Sequence, residues 1–329
     1  MRSLDFGRHA LFCSAAAAML AGCGGSQSPI GATGAMQGRA AIATQAERGK
    51  SWVDPGGQDG DLIYVAAQVN SYVISYRTGK LLGTIDGGAE GACSDSEGNV
   101  FLTGGAGVLE YRHGGTTPVA TLNLPGNDPE SGGCASDPVS GNLAVTFSTF
   151  GSGGSDENVA IFPDGQGTPT VYQSGIDAGF CGYDNQGNLF VDGYGGALID
   201  LAELPSGSGS FEIISINQSI GGNPWSIQWD GKYMTVEGIS EKSVQLSRLQ
   251  ISGTTATIVS TTKFSRTMSK ARASWITGST VLVPFGNIHG IGFWKYPNGG
   301  KAERVFSKKV FGRKLNFFNG LTVSVAANR

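Results

Sequence analysis

Apolar and polar residues alternate in this chain over short runs, and the runs recur. A glycine opens each one: "GDLIYV" at 60–65, "GNVFLT" at 98–103, "GNLAVT" at 141–146, "GNLFVD" at 187–192, "GKYMTV" at 231–236 and "GSTVLV" at 278–283. Successive glycines lie 38, 43, 46, 44 and 47 residues apart. Two-residue alternation bounded by Gly, Asn and Asp is the pattern of strands joined by tight hairpins. A period of this length, with room for four short strands, is that of a propeller blade. Six copies therefore predict an all-β, six-bladed β-propeller.

The remaining strands follow from the same pattern. After each glycine-led strand comes a third run that ends in an aromatic and a glycine turn, as in "SYVISYRTGK", "GVLEYRHGG" and "GIGFWKYPNGG". A fourth run is then "LLGTI", "PVATLNL", "PTVYQS", "FEIISI", "TATIVST" or "ERVFS", and the innermost strand precedes the next repeat glycine, as in "GACSD" and "GFCGYD". The first repeat lacks an innermost strand, because "SWVDPGGQDG" consists largely of turn residues. The C-terminal run "NGLTVSVAA" at 319–327 has the missing alternation. The ring is expected to close by pairing this segment beside the strand at 61–66, which removes the open edges.

Charge divides the chain unevenly. Residues 51–260 hold 6 Lys+Arg against 23 Asp+Glu, whereas residues 261–329 hold 12 against 1. The last blade is thus a basic sector on an acidic ring, suited to self-complementary packing or to an anionic contact. Nucleic acid is not expected as a partner, since no binding module accompanies the basic residues.

Arg2 and Arg8 precede a short apolar run from Ala10 to Ala21, too brief to span a bilayer and typical of an export signal. It ends in Leu20-Ala21-Gly22-Cys23, which resembles the lipobox of bacterial lipoproteins. That resemblance implies cleavage before Cys23, acylation of its thiol and stable membrane attachment. The expected organisation is a signal peptide over 1–22, a lipid-anchored tether over 23–50 and the propeller over 51–329. The tether is rich in Gly, Ser, Ala, Gln and Thr, and random-coil scaling gives it a span of about 25–30 Å. The protein is expected to be exported and anchored in the bacterial envelope, with Gly24 favouring an outer membrane where one is present.

Three cysteines remain in the body, Cys93, Cys134 and Cys181, each on a predicted innermost strand. Small, packed core residues are the expectation, because adjacent inner strands usually stand too far apart for a disulfide. One disulfide and a three-thiolate metal site are the two alternatives to packing. His113 and His289 fall at turns or strand ends, away from the axis where a catalytic triad would need one of them. The acidic turn groups Asp54/Asp59/Asp61, Asp95/Glu97 and Asp184/Asn185 lack the order of a calcium loop and fit tight turns.

The repeat "D-x-x-G-N-L-F-V" with its aromatic-glycine turn resembles the propellers of the NHL-repeat and gluconolactonase groups over residues 60–327. Stretches such as "CGYDNQGNLFVDG" are similar to exported bacterial propellers without assigned activity. Gluconolactonase-like enzymes hold a divalent cation where the innermost strands begin. The resemblance places Glu90 ("EGACS"), Asn223 ("NPWSI") and Asn319 ("NGLTVS") at that mouth as candidate ligands for a hard cation such as calcium. A fourth, acidic ligand has no counterpart at Gly132, Gly179 or the basic stretch Lys270/Arg272, so Asp177 or Glu130 would have to substitute. Trp225, Trp229 and Trp275 are candidate aromatics for a sugar-facing surface.

Fold does not select function. The residues favour a binding or scaffolding module, with a glycan, envelope polymer or protein as partner and no catalysis, over a metal-dependent lactonase-like hydrolase. Cys23→Ser is expected to move the protein from the membrane fraction to the soluble exported fraction. Unchanged membrane retention would refute the lipid anchor.

Overall fold

The computed structural model describes residues 60–326, apart from 152–153, 196–197, 240–242, 266–267, 269–270, 286–289 and 312–316. Cys23, the segments 1–22 and 23–50, Asp54, Asp59, Lys270 and His289 therefore lie outside the described residues. Among those residues the regular elements are strands and two short 3-10 turns, at Pro163–Gly165 and Lys308–Phe311. The strands form six four-stranded antiparallel blades in sequence order.

The innermost strands are Gly91–Ser94, Glu130–Ser136, Ala178–Tyr183, Asn223–Trp229, Trp275–Thr277 and Phe318–Ser324. The last belongs to the first blade. It pairs antiparallel with Leu62–Ala67, with Leu62 opposite Ser324, Tyr64 opposite Thr322 and Ala66 opposite Gly320. The ring is thus a six-bladed β-propeller closed through its two chain ends, as the C-terminal alternation predicts.

The glycine-led runs are apolar on both faces because each second strand lies between two blades. Leu62, Tyr64 and Ala66 pack toward the second blade, against Val100, Leu102 and Tyr111. Ile63, Val65 and Ala67 pack toward the sixth, against Leu282, Ile291 and Phe293. Four further clusters fill the other seams, so the core consists of six inter-blade layers.

The repeat glycine has a conformational reason. Gly98, Gly141, Gly187, Gly231 and Gly278 all adopt positive φ, between 55° and 93°, in the turn that leads into the second strand. An L side chain is strained there. The preceding aspartate fixes the turn. Asp95 Oδ1 accepts the amides of Glu97 at 3.0 Å and Asn99 at 2.8 Å, and Asp184 Oδ1 accepts those of Gln186 at 2.8 Å and Asn188 at 3.0 Å. These described acidic groups are turn caps, as tight hairpins demand.

Two features depart from the expectations. First, Cys93 and Cys134 form a disulfide across the second and third blades, with Cα atoms 5.7 Å apart. The inner strands approach closely here because glycine replaces side chains at the contact: a Cβ on Gly91 would come within 3.0 Å of the Gly132 carbonyl and 3.3 Å of Gly133 Cα. Cys181 remains a buried thiol, directed at the carbonyl of Ala144 at 3.6 Å, so the three sulfurs do not form a metal site. Second, the outer strands Glu212–Ile216 and Thr255–Lys263 pair in parallel through Ser215/Thr255 and Ile216/Ala256, which fuses the fourth and fifth blades into one eight-stranded sheet.

Deleting the chain from Asn319 onward is expected to leave Leu62–Ala67 with an open edge and the protein aggregated in size-exclusion chromatography. A truncated protein that remains monomeric with an unchanged melting temperature would refute closure as the source of integrity. Removing the disulfide with Cys93→Ala and Cys134→Ala should cost about 2–4 kcal/mol, seen as a lower Tm. Cys181, whose thiol burial pushes well above its ordinary pKa, should react with a thiol reagent only after unfolding.

Candidate functional site

The innermost strands line an axial channel of about 420 Å³, to which all six blades contribute, for example through Ala92, Gly133, Phe180, Ile227, Ser274 and Leu321. Their starting ends surround one mouth, because equivalent strands in a closed ring face the same opening. Glu90, Glu130, Asp177 and Asn223 are exposed there, and Asn319 is buried.

Of these five, Asn319 and Glu90 are joined directly. Asn319 donates from its side-chain amide to Glu90 Oε2 at 3.1 Å and to the Ala89 carbonyl at 2.9 Å, which joins the first and second blades. Asn223 and Glu130 instead hold places in their own blades, opposite Ile239 and Ser148. Asp177 lies beside Tyr194, whose amide donates to the Asp177 carbonyl at 3.0 Å. Burial, and then the charges of Asp177 and Asp192, push the Tyr194 phenol above its ordinary pKa. Among the described residues no three His, Cys, Asp or Glu side chains are grouped to hold a metal ion.

Arg272 occupies the sixth blade's position at this mouth, beside Ala271, which bridges to Phe285. Its guanidinium lies 4.1 Å from the centre of the Trp225 ring, and Trp225 in turn contacts Phe180 at 5.8 Å between ring centres. Burial pulls the Arg272 pKa below its ordinary value, partly offset by Tyr194 and by Glu90. The mouth thus combines one stacked cation with an Asn–Glu pair and a tyrosine. The sequence marked Arg272 only as a departure from the acidic pattern; its stacking on Trp225 needs the fifth and sixth blades side by side.

The three tryptophans have different surroundings, although Trp229 and Trp275 both line the channel. Trp225 and Trp229 are the third and last residues of Asn223–Trp229, on either side of part of its bulge. Trp229 packs on the seam between the fourth and fifth blades. Trp275 lies in the channel and reaches both the cluster that contains Leu321 and Val323 and the one that contains Cys93 and Cys134. It is therefore a channel plug.

His113 stands in the turn after the strand Gly107–Tyr111 and contacts Ser324 Oγ of the closing strand at 2.7 Å through Nδ1. It ties the closure and sits away from the mouth.

Two buried carboxylates were not singled out by residue type or spacing. Asp192 and Glu237 lie on the second strands of the fourth and fifth blades, fully shielded from solvent. Burial pushes the Glu237 carboxyl up to about 7. Burial, and then repulsion from Glu237, push Asp192 well above the ordinary carboxylate range. The legible signal was the repeat itself: Thr103, Thr146 and Asp192 each stand five residues after a repeat glycine, and Glu237 stands six after Gly231.

No protein-family model and no curated protein sequence matches the chain. Solved structures do match. A chain of the nidogen/laminin complex is 11% identical, aligns with 81% of this chain and 99% of its own, and superposes with a TM-score of 0.62. A protein of unknown function from Bacteroides caccae is also 11% identical, aligns over 80% and 99% of the two chains, and has a TM-score of 0.58. At such identity these likenesses show the fold, a β-propeller, and leave its role to the residues of the site.

Proposed function

We propose that the protein is a binding module of the bacterial envelope, tethered by lipid on Cys23, that grips a carboxylate- or phosphate-bearing glycan at the mouth where its inner strands begin. The observation that supports this reading is Arg272. It is half-buried and stacked on Trp225, it has no carboxylate within ion-pair distance among the described residues, and its recorded hydrogen bond is to the neighbouring Ala271 carbonyl at 3.2 Å. A planar guanidinium fixed against an aromatic ring is preorganised for bidentate contact with an anionic group. One other basic residue of this sector is committed elsewhere. Arg304 lies 3.9 Å over Phe293 and donates to the Arg77 carbonyl at 2.8 Å.

A metal-dependent lactonase remains the competing reading of the same mouth. It would need Glu90, Asn223 and Asn319 to share a cation with Asp177 or Glu130, whereas Arg272 already brings positive charge there and would repel one.

Screening acidic envelope glycans against the full chain should identify a ligand whose affinity falls steeply with salt. Arg272→Ala should weaken it by about 10–100-fold, as loss of a charge-assisted hydrogen bond implies. Salt-independent binding, or unchanged affinity in that variant, would refute the anionic grip. Metal-dependent lactone hydrolysis that disappears in Glu90→Gln would establish the enzyme reading instead.

A further inference from the structure

Near the axis, second strands place polar side chains toward the inner strand of the next blade. Thr103 Oγ1 donates to the Gly132 carbonyl at 2.6 Å, and Thr146 Oγ1 donates to the Gly179 carbonyl at 2.7 Å. Both contacts give a hydroxyl proton to a backbone oxygen. In the next two blades the corresponding residues are Asp192 and Glu237, which in ionised form can only accept.

Their surroundings leave that capacity unmet. Both side chains are fully buried, and neither carboxylate oxygen of Asp192 has a hydrogen-bond partner. The amides of Phe180 and Asp192 itself lie near enough to ease its charge, without reaching hydrogen-bond geometry. Glu237 Oε2 accepts from the Ser274 amide at 2.8 Å and the Ser226 hydroxyl at 2.9 Å, while Oε1 has no partner. Three carboxylate oxygens from adjacent blades are thus unpartnered in the interior. Buried polar groups are nearly always satisfied, and an uncompensated buried charge is strongly destabilising.

We propose that Asp192 and Glu237, with the Ser226 hydroxyl, form an interior site for one calcium-class divalent cation that joins the fourth and fifth blades. The donors are oxygens, which suit a hard ion, and the nearby Cys181 thiol is turned toward the Ala144 carbonyl. Calcium fits better than magnesium because it sheds water more readily and tolerates irregular coordination. Ser226 and Ser274 line the axial channel, so water can complete the coordination from that side. This site is separate from the mouth: its acids lie on second strands, whereas Glu90 and Asn319 belong to the starting ends of inner strands.

The test uses the full chain carrying Cys23→Ser, stripped with a chelator and titrated with calcium chloride alone. Calorimetry should give one calcium per chain, and melting curves should show a saturable rise in Tm. Asp192→Asn and Glu237→Gln should each weaken calcium binding by about tenfold or more, since affinity follows ligand charge. Folding of the variants is checked without calcium: Asp192→Asn removes a buried charge, so it should melt no lower than the stripped parent. No calcium response in the parent would overturn the proposal, as would a response that persists in Asp192→Asn. A response lost in Glu90→Gln but retained in the two interior variants would place the cation at the mouth and also overturn it. Stabilisation by acidification alone, with no effect of calcium, would identify the occupant as a proton and reject the metal.

Discussion

The pairing of Phe318–Ser324 with Leu62–Ala67 is the contact on which the rest of the ring depends. A blade here is not an amphipathic sheet with one face to water. All six residues of Leu62–Ala67 and all seven of Phe318–Ser324 are buried, so both faces of the first blade require a neighbour. Burial of a single large apolar side chain contributes about 1.5–3 kcal/mol, while a whole domain is stable by only about 5–15 kcal/mol. The seam between the sixth and first blades holds Ile63, Val65, Phe293, Phe318, Leu321 and Val323 among others. Opening it exposes more apolar surface than that net stability can offset. Closure therefore turns six locally formed blades into one cooperative unit.

Much of this was legible because the repeat is set by local chemistry. A left-handed glycine, an aspartate that caps the turn and a strand apolar on both faces recur together, and each leaves a mark in the residue pattern. The closing strand was legible for the complementary reason: Asn319 to Ala327 alternates like an innermost strand and has no blade of its own. The Cys93–Cys134 disulfide was not, since it depends on how near two inner strands approach. That distance is governed by the absence of side chains at Gly91, Gly132 and Gly133, an effect of contact rather than periodicity. The fusion of the fourth and fifth blades likewise arises from two outer strands meeting edge to edge through Ser215/Thr255 and Ile216/Ala256.

The candidate site was legible in part. Glu90, reached by counting back from its repeat glycine, and Asn319, at the entry of the C-terminal strand, share a hydrogen bond. Strand spacing alone could not say that Trp275 would line the channel and reach the cluster that contains Cys93 and Cys134. Nor could it place Glu130 and Asn223, whose strands carry bulges between Ser131 and Cys134 and between Pro224 and Ile227 that shift side chains relative to ideal alternation.

The charge split along the sequence also resolves into distinct physical roles. Asp230 of the fifth blade accepts from Arg248 at 2.6 Å and from Tyr296 of the sixth at 2.6 Å, and the Tyr296 hydroxyl lies 2.9 Å from Thr235 Oγ1. Polar groups thus bind the basic last blade to the acidic ring at this seam. Nearer the axis, Asp192 and Glu237 occupy places that threonines fill in the second and third blades, and three of their oxygens are unpartnered. A fold whose neighbouring seams satisfy the same ring position with a neutral hydroxyl has no structural need for two buried acids there. The acids make physical sense when positive charge completes the seam, and an interior cation would then do for the fourth and fifth blades what the disulfide does for the second and third.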